Sequence, residues 1–332
     1  MIATDAARTA AWPAGMVTGI LAGLGAGAFW GMTFVAPLMV AGFSSVDYTV
    51  GRFVACGLFS LLLLAGRPLA VLFRREAAGR ALQLGAWRWP TPRQALAALG
   101  LSVLGYTGYY LLLVLAIQDA GAALPVLIIG TIPLWVMVLG KPHALRWGAL
   151  VPGVLLTALG MVLMMQATVD AASHGNADAP AGQVWRGVLY AVAAMASWTA
   201  FGLLNAAWLR RHPEVNSTDW ANWLGLAAGV GALLLWGLWG SDWASLWGRE
   251  GFGTFVWVCT VTGIGSAWVA AVLWNMASRR LSPSLAGQLI VSETVFGLIY
   301  TFAWSAEWPA AMQWAACVLF VLGILASIKA HR

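Results

Sequence analysis

Long apolar runs separated by short polar segments make up most of this 332-residue sequence. An α-helix needs about 20 mostly apolar residues to cross a bilayer. Ten stretches reach that length, near residues 16–40, 46–66, 94–117, 121–140, 147–166, 185–209, 217–240, 252–277, 284–304 and 310–329. The pattern therefore predicts an all-α membrane protein with ten transmembrane helices.

The composition supports a membrane-embedded chain and excludes several other classes of protein. Hydrophobic residues make up 61% of the sequence and charged residues only 9%, whereas an average globular domain is about 25% charged. Soluble α/β, collagen-like and disordered chains are therefore excluded, and so is a nucleic-acid binder, although the formal net charge is +6. The expected partners are the lipid bilayer and a small-molecule substrate, and a homo-oligomer is left open.

The distribution of basic residues predicts the orientation of the chain. If the N-terminus is cytoplasmic, fifteen Lys and Arg residues fall on the cytoplasmic side, and Arg186 and Arg249 fall on the other. Cytoplasmic loops of membrane proteins are enriched in Lys and Arg. We therefore expect a multi-pass protein of the inner membrane with both termini in the cytoplasm. The first fifteen residues contain Asp5 and Arg8, so we expect them to remain attached rather than to be cleaved as a signal peptide.

A weak internal repeat divides the spans into two groups of five. Ala28-Phe29-Trp30 matches Ala196-Ser197-Trp198 at an offset of 168. The matches that follow in the same order are Asp47 with Asp219 at 172, Ala116 with Ala277 at 161, and Leu159-Gly160 with Leu322-Gly323 at 163. We expect a cytoplasmic segment at 1–15, a first repeat at 16–166, a linker at 167–184 and a second repeat at 185–329. Because five is odd, the repeats are predicted to be inverted, as in many secondary transporters.

Two ionisable residues, Arg52 and Glu293, lie deep inside predicted spans. A charge at the centre of a membrane helix costs roughly 2.5 to 3.5 kcal/mol on insertion scales, so a polar cavity or a partner is expected. Glu293 either contacts a substrate amine, couples transport to protons, or makes a structural hydrogen bond. Arg52 either extends to the membrane surface, pairs with Asp47, Asp119 or Glu293, or binds a substrate carboxylate.

Aromatic and amide side chains inside the spans are further candidates for a central cavity. Indole N–H groups in an apolar environment require a partner. Besides Glu293 and Arg52, the predicted substrate-binding residues are Trp30, Trp198, Tyr106, Tyr109, Trp268, Asn275 and Gln288. For each of them, packing against a neighbouring helix is an equally good interpretation.

Small residues recur along the first predicted helix. Gly19, Gly23, Gly27 and Gly31 are four residues apart and therefore predict one smooth face against which a neighbouring helix packs closely. Helix packing is the main interpretation of this face, and a sliding surface for alternating access is the alternative.

Motifs for catalysis are absent from the sequence. All four histidines lie in predicted loops or at the C-terminus, so no metal site or histidine-based catalytic dyad is expected inside the spans. The phosphate-binding motif GxxxxGK[ST] does not occur. We therefore expect neither an enzyme nor a cofactor.

The ordered landmarks of the chain resemble those of the EamA family of the drug/metabolite transporter superfamily. The matching residues are Ala28-Phe29-Trp30-Gly31, Arg52-Phe53, Ala116-Ile117, Ala120, Ala123, Pro133, Gly153, Gly160, Trp198, Ala277 and Gly323. The resemblance implies ten helices, a central cavity lined by helices one to four and six to nine, and export or exchange of small metabolites. Glu293 departs from it, because it lies at or next to the position that matches Pro133 of the first half, where the family often has proline.

These observations together predict a secondary transporter that works by alternating access. The expected substrate is a small organic metabolite, such as an amino acid or a related compound, and proton coupling is left open. The alternative is an exporter of lipophilic drugs or lipids, in which aromatic surfaces face a lateral opening.

Overall fold

A computed structural model of the chain describes residues 14–40, 42–75, 90–120, 123–141, 145–172, 181–306, 308 and 310–331. Regular structure in these ranges is helical. The helices are α1 (Ala14–Met39), α2 (Ser45–Arg75), α3 (Pro92–Ser102), α4 (Gly108–Ala120), α5 (Ala123–Gly130), α6 (Ile132–Leu139), α7 (Trp147–Ala172), α8 (Ala181–Arg211), α9 (Ser217–Trp239), α10 (Trp243–Trp247), α11 (Phe252–Thr262), α12 (Ala270–Arg280), α13 (Pro283–Ser305) and α14 (Ala311–Ala330). Most of the predicted N-terminal segment 1–15 and the middle of the predicted linker 167–184 lie outside the described residues.

Eight stretches of the described chain are long and apolar enough to cross a membrane. They coincide with eight of the ten predicted spans, which confirms an all-α membrane protein. The predicted span 121–140 is instead divided at Thr131 into two eight-residue helices, α5 and α6. The predicted span 284–304 is helical as α13 but is not among these eight stretches. The ten-helix arrangement therefore stays a prediction.

Two π-helical turns interrupt long spans and are not apparent from the hydrophobic pattern. Val103–Thr107 connects α3 to α4, and Gly263–Val269 connects α11 to α12. A π turn inserts an extra residue into the helix and is frequent at functional sites. Val103 begins the first π turn. The sequence offset of 161 that relates Ala116 to Ala277 makes Val103 correspond to Ile264, which lies inside the second π turn.

The helices pair across the middle of the sequence rather than with their nearest neighbours in the chain. The largest interfaces join α1 to α13, α2 to α9, α7 to α14 and α4 to α8, and α1 also packs against α12. Leu, Val and Trp side chains project from the outer faces of the helices, where lipid would surround them.

Glycine permits the close contact between α1 and α13. A Cβ atom at Gly31 would lie only 2.8 Å from the backbone nitrogen of Gly297, and one at Gly27 would overlap the Ser292 hydroxyl. Gly19 and Gly23 likewise face the segment around Leu281 and Leu289. The glycine face predicted from the four-residue spacing is therefore confirmed, and its neighbour is the helix that carries Glu293.

A second glycine contact joins α2 to α9. A Cβ atom at Gly57 would lie 2.8 Å from the Cα atom of Gly229, and one at Gly229 would lie 2.9 Å from the Cα atom of Gly57. The two backbones therefore touch at this point, which fixes the crossing of the two helices.

A buried network of polar side chains connects α8, α9 and α12. Asn205 donates a hydrogen bond to Asn275 Oδ1 at 3.0 Å, and Trp220 Nε1 donates to Asn205 Oδ1 at 2.7 Å. Asn275 Nδ2 donates to the carbonyl oxygen of Ser217 at 3.4 Å. Asn205, Asn275 and Trp220 are all buried. Water cannot reach their polar atoms, so these hydrogen bonds supply the partners that the atoms need.

We expect Asn205→Ala to destabilise the protein by about 1–3 kcal/mol, because it leaves the Trp220 N–H and the Asn275 amide without their partner. The free energy of unfolding in mixed micelles, measured by denaturant titration, checks this. Gln166→Ala is the matched control, since Gln166 is exposed on α7. Equal stability of both variants would contradict a structural role for the network.

Candidate substrate cavity

A cavity of about 620 Å³ lies between α1, α2, α4, α8 and α13. This volume is in the range of small-molecule binding sites, which are mostly apolar with a few polar groups. Aromatic and aliphatic side chains form most of the wall. Apart from the tyrosines, the polar lining residues are Thr33, Arg52, Ser266, Glu293, Thr294 and Gln313.

Arg52 brings a positive charge to the cavity wall from α2. Its side chain is only 9% exposed, and the guanidinium carbon lies 5.4 Å from the ring centroid of Phe53. Its Nε atom is buried and has no hydrogen-bond partner. A guanidinium group with an unused donor in an apolar cavity is suited to bind a carboxylate or a similar anion.

The three acidic residues considered as partners of Arg52 are placed elsewhere or at a distance. Asp47 accepts hydrogen bonds from the Ser241 hydroxyl at 2.7 Å and from the Ser241 backbone at 2.9 Å. Asp119 is bound to Arg186. Within the described chain, no Arg52 nitrogen lies within 4.0 Å of a Glu293 oxygen, although the two residues line the same cavity.

Glu293 brings a carboxylate to the cavity from α13. It is partly buried and has no hydrogen bond to another described residue. A Cβ atom added at Gly27 would lie 3.1 Å from the backbone nitrogen of Glu293, so α1 packs directly against α13 at this point. The cavity therefore holds one acidic and one basic group that are not paired with each other, an arrangement that can bind a zwitterion or exchange a proton.

A connected series of aromatic rings forms one wall of the cavity. Trp30 and Trp198 have ring centroids 6.0 Å apart, and Trp198 and Phe201 are also 6.0 Å apart. Phe201 contacts Tyr106 at 5.7 Å, and Tyr106 contacts Phe53 at 5.7 Å. All four pairs are edge-to-face, the arrangement that aromatic pairs favour. Among the predicted residues, Tyr109 also lines the cavity.

Three of the predicted site residues lie outside the cavity and have structural partners. Trp268 donates a hydrogen bond to Asn222 Oδ1 at 2.7 Å. Gln288 donates to Thr157 Oγ1 at 2.7 Å, and Asn275 belongs to the buried network between α8, α9 and α12. Each of the three follows the helix-packing interpretation, so none is part of the site that we consider further.

Several lining residues were not predicted from the sequence. Tyr48, Tyr110, Phe201 and Thr294 all face the cavity. Tyr48 precedes Arg52 by four residues, which places both on one face of a helix, and this spacing is a signal that the sequence does contain. No comparable signal identifies Phe201.

Both π turns contribute residues to the wall of the cavity. Gly105 and Tyr106 come from the first π turn, and Ser266 and Ala267 come from the second. A Cβ atom at Gly105 would overlap the ring of Phe201. The first π turn therefore lies directly against α8, and glycine is required for that contact.

The break between α5 and α6 also faces the cavity, through Ile129, Gly130, Ile132 and Pro133. Because proline has no backbone N–H, Pro133 cannot donate to the carbonyl group of Ile129 as a helix would require. Irregular backbone at membrane depth is tolerated where it borders a cavity, and broken helices often form the sites of transporters.

An ion pair connects the end of α4 to the beginning of α8. Arg186 donates to both carboxylate oxygens of Asp119, at 2.5 and 2.8 Å. The hydrogen bond from Arg186 lowers the pKa of Asp119 below its usual range. The carboxylate is therefore ionised at neutral pH, and the pair is lost only as the pH falls through that lowered pKa.

Comparisons with known proteins relate the second half of the chain to a transporter family and almost the whole chain to an inner membrane protein. The sequence model of the EamA-like transporter family matches residues 185–328. The inner membrane protein YtfF of Escherichia coli (strain K12) is 30% identical over 328 residues, which covers 95% of this chain and 96% of that protein. Another protein, whose crystal structure has been solved, is 20% identical in sequence to this chain. The structural match covers 96% of this chain and 99% of that protein, with a TM-score of 0.69.

The structural likeness concerns the fold alone, but the sequence likeness to the curated relative extends over almost the full length of both chains. The eight candidate spans agree with a multi-pass membrane protein. On this evidence, the chain belongs to the EamA-like transporter family of the drug/metabolite transporter superfamily.

Proposed function

We propose that this protein is a secondary transporter that exports or exchanges a small organic metabolite by alternating access. The observation that carries the proposal is the central cavity, where Arg52 and Glu293 lie without ion-pair partners among the described residues. Charged groups at membrane depth are costly and mark substrate or ion pathways. In this proposal Arg52 binds the anionic group of the substrate, Glu293 binds its amine or carries a coupling proton, and Trp30, Trp198, Tyr106 and Tyr109 form the walls.

The charges and walls favour an amino acid or a related compound as the substrate. Such a molecule offers a carboxylate for Arg52 and an ammonium group for Glu293. A sugar phosphate fits less well, because multiple negative charges call for several basic groups, and Arg52 is the one Lys or Arg among the described residues that line the cavity.

Alternating access requires two units that move against each other, and we propose that these are two inverted five-helix repeats, at 16–166 and 185–329. Gly57 and Gly229 are separated by 172 residues, the same offset that relates Asp47 to Asp219. These two glycines contact each other. Equivalent residues touch in this way where a two-fold axis passes between them.

The edge pair α7 and α14 supports the same symmetry. The offset of 163 that relates Gly160 to Gly323 also relates Gly153 to Ala316. A Cβ atom at Gly160 would lie 3.2 Å from the Ala316 carbonyl oxygen, and one at Gly153 would lie 3.4 Å from the Gly323 carbonyl oxygen. The two contacts are exchanged by the proposed two-fold axis. The family match at 185–328 is also nearly coextensive with the proposed second repeat.

We further propose that the protein resides in the inner membrane with both termini in the cytoplasm. The similarity to YtfF, an inner membrane protein, supports this location. The orientation follows the excess of Lys and Arg on the side of the termini.

An exporter of lipophilic compounds is the second candidate, and one feature of the cavity favours it. The lining includes Met161 and Met164 of α7 and Phe320 of α14. The cavity therefore extends from the centre of the bundle towards the α7 and α14 pair. Methionine-rich surfaces adapt to ligands of different shapes. This candidate predicts resistance to toxic amphiphiles rather than release of a polar metabolite.

The proposal is tested by comparing extracellular metabolites from cells that express the wild type, Arg52→Gln or an empty vector, at matched membrane levels. We expect one solute class, with a carboxylate, to be enriched outside only with the wild type. Arg52→Gln should lower that enrichment at least tenfold, because a buried charge contact costs about 2–5 kcal/mol to remove. Equal profiles for wild type and vector, together with resistance to amphiphiles, would favour the second candidate instead.

A further inference from the structure

A second cavity lies away from the substrate site, between α3 and α8. Its volume is about 390 Å³, and we call it the α3–α8 groove. It is lined by Ala97, Gly100, Leu101, Leu104, Leu204, Ala207, Trp208, Arg211 and His212. The floor is almost entirely aliphatic, and the groove opens towards the lipid side of the bundle, where Leu96, Leu99 and Leu204 are exposed.

The groove exists because α3 leans away from α8. The larger contacts of α3 are with α9, and it meets α8 at only a few residues. No side chain occupies the space at Gly100, since a Cβ atom there would have no neighbour within 4 Å. The gap is therefore left by the packing of these helices, and water would be poorly accommodated in it because its floor offers no hydrogen-bond partners.

Positive charge is concentrated at one end of the groove and is not compensated by the helices that form it. Arg211 lines the groove from α8. Arg93 precedes Ala97 of α3 by one turn and lies on the stripe that continues through Gly100 to Leu104 of the first π turn. Neither α3 nor α8 contains an acidic residue.

The same end of the groove also carries aromatic side chains of the kind found beside lipid headgroups. Trp208 stacks on His212 with ring centroids 4.1 Å apart, and on Trp220 at 3.6 Å. Tryptophan is enriched where hydrocarbon meets headgroups. Glu214 follows in the next loop and interacts electrostatically with Arg279 of α12.

We propose that the α3–α8 groove binds one anionic phospholipid, with an acyl chain along the apolar floor and the phosphate between Arg93 and Arg211. The stripe from Arg93 to Leu104 is about 16 Å long at 1.5 Å per residue, which suits the upper part of an acyl chain. Basic pockets between membrane helices bind anionic headgroups in this manner. The inference concerns a site separate from the transport cavity and holds whichever solute is transported.

Native mass spectrometry of the purified full chain in mild detergent tests the proposal, with phosphatidylglycerol and phosphatidylcholine as the probes. We expect the wild type to retain one phosphatidylglycerol and to prefer it to phosphatidylcholine. The double variant Arg93→Gln/Arg211→Gln should bind phosphatidylglycerol about 30-fold more weakly, since each basic group near a lipid surface contributes about 1 kcal/mol. Arg146→Gln, at an exposed arginine before α7, is the matched control and should bind as the wild type does.

A second variant tests the apolar part of the groove independently of charge. Gly100→Leu fills the groove without a clash and should also reduce retention of phosphatidylglycerol, whereas Gly237→Leu, at another exposed glycine without neighbours on α9, should not. Undiminished binding by both Gly100→Leu and the double arginine variant would overturn the proposal. Equal retention of phosphatidylcholine would overturn it too, as would full displacement of the lipid by millimolar inorganic phosphate, because these results describe a nonspecific surface or a free-anion site.

Discussion

Glu293→Gln is expected to reduce solute export by about 30-fold or more and, where the carboxylate carries a coupling proton, to abolish the dependence of export on pH. Glutamine has the size of glutamate but cannot carry a negative charge or release a proton. In the proposed mechanism the substrate amine or the coupling proton then has no acceptor in the cavity. Removing one partner of a desolvated charge contact costs about 2–5 kcal/mol, which corresponds to a loss of at least 30-fold in apparent affinity.

The measurement is the release of the solute identified by the metabolite comparison, at two external pH values and at matched membrane levels. Glu250→Gln is the matched control, because Glu250 is an exposed carboxylate before α11 and its loss should leave export unchanged. Unchanged export by Glu293→Gln, with the pH dependence of the wild type, would remove Glu293 from the mechanism. Export that is reduced but keeps the pH dependence of the wild type would retain the amine contact and exclude the coupling role.

The helices were predictable because the bilayer imposes a minimum length on every apolar run. Eight predicted spans recur as long apolar stretches of the structure. The glycines of α1 were equally informative, since a four-residue spacing can produce only one face. Arg52 and Glu293 were recognisable as candidates because a charge inside a span is costly, and both line the cavity.

Features that depend on how helices rotate were not predictable from the hydrophobic pattern. The break at Thr131 and the two π turns change which side chains face the cavity. Pro133 is a signal for the break, because proline lacks the N–H that a continuous helix requires, but an apolar run gives no sign of the π turns. Trp268 illustrates the consequence. It lies in the second π turn, beside cavity-lining Ser266 and Ala267, but its indole is directed to Asn222. A tryptophan deep inside a span therefore indicates that its N–H needs a hydrogen-bond partner. It does not indicate which residue is that partner.

The contact between α1 and α13 links the most predictable feature of the sequence to the proposed site. The glycine face of α1 determines how closely α13 approaches, and α13 carries Glu293. If α1 were displaced, the carboxylate would move with the backbone that holds it, because Gly27 lies beside the backbone nitrogen of Glu293. A change in packing at Gly27 should therefore affect stability and transport together.

Gly27→Leu is expected to lower the melting temperature by roughly 5 °C or more and to abolish export. A Cβ atom at this position overlaps the Ser292 hydroxyl, and overpacking of a filled interface costs about 1–3 kcal/mol or more. Thermal unfolding of the purified protein in detergent measures the effect. Gly15→Leu is the matched control on the same helix, because a Cβ atom at Gly15 meets nothing within 4 Å. Normal stability and export of Gly27→Leu would mean that α1 and α13 do not pack through this face in the membrane, whereas instability of both variants would point to a general intolerance of leucine in α1.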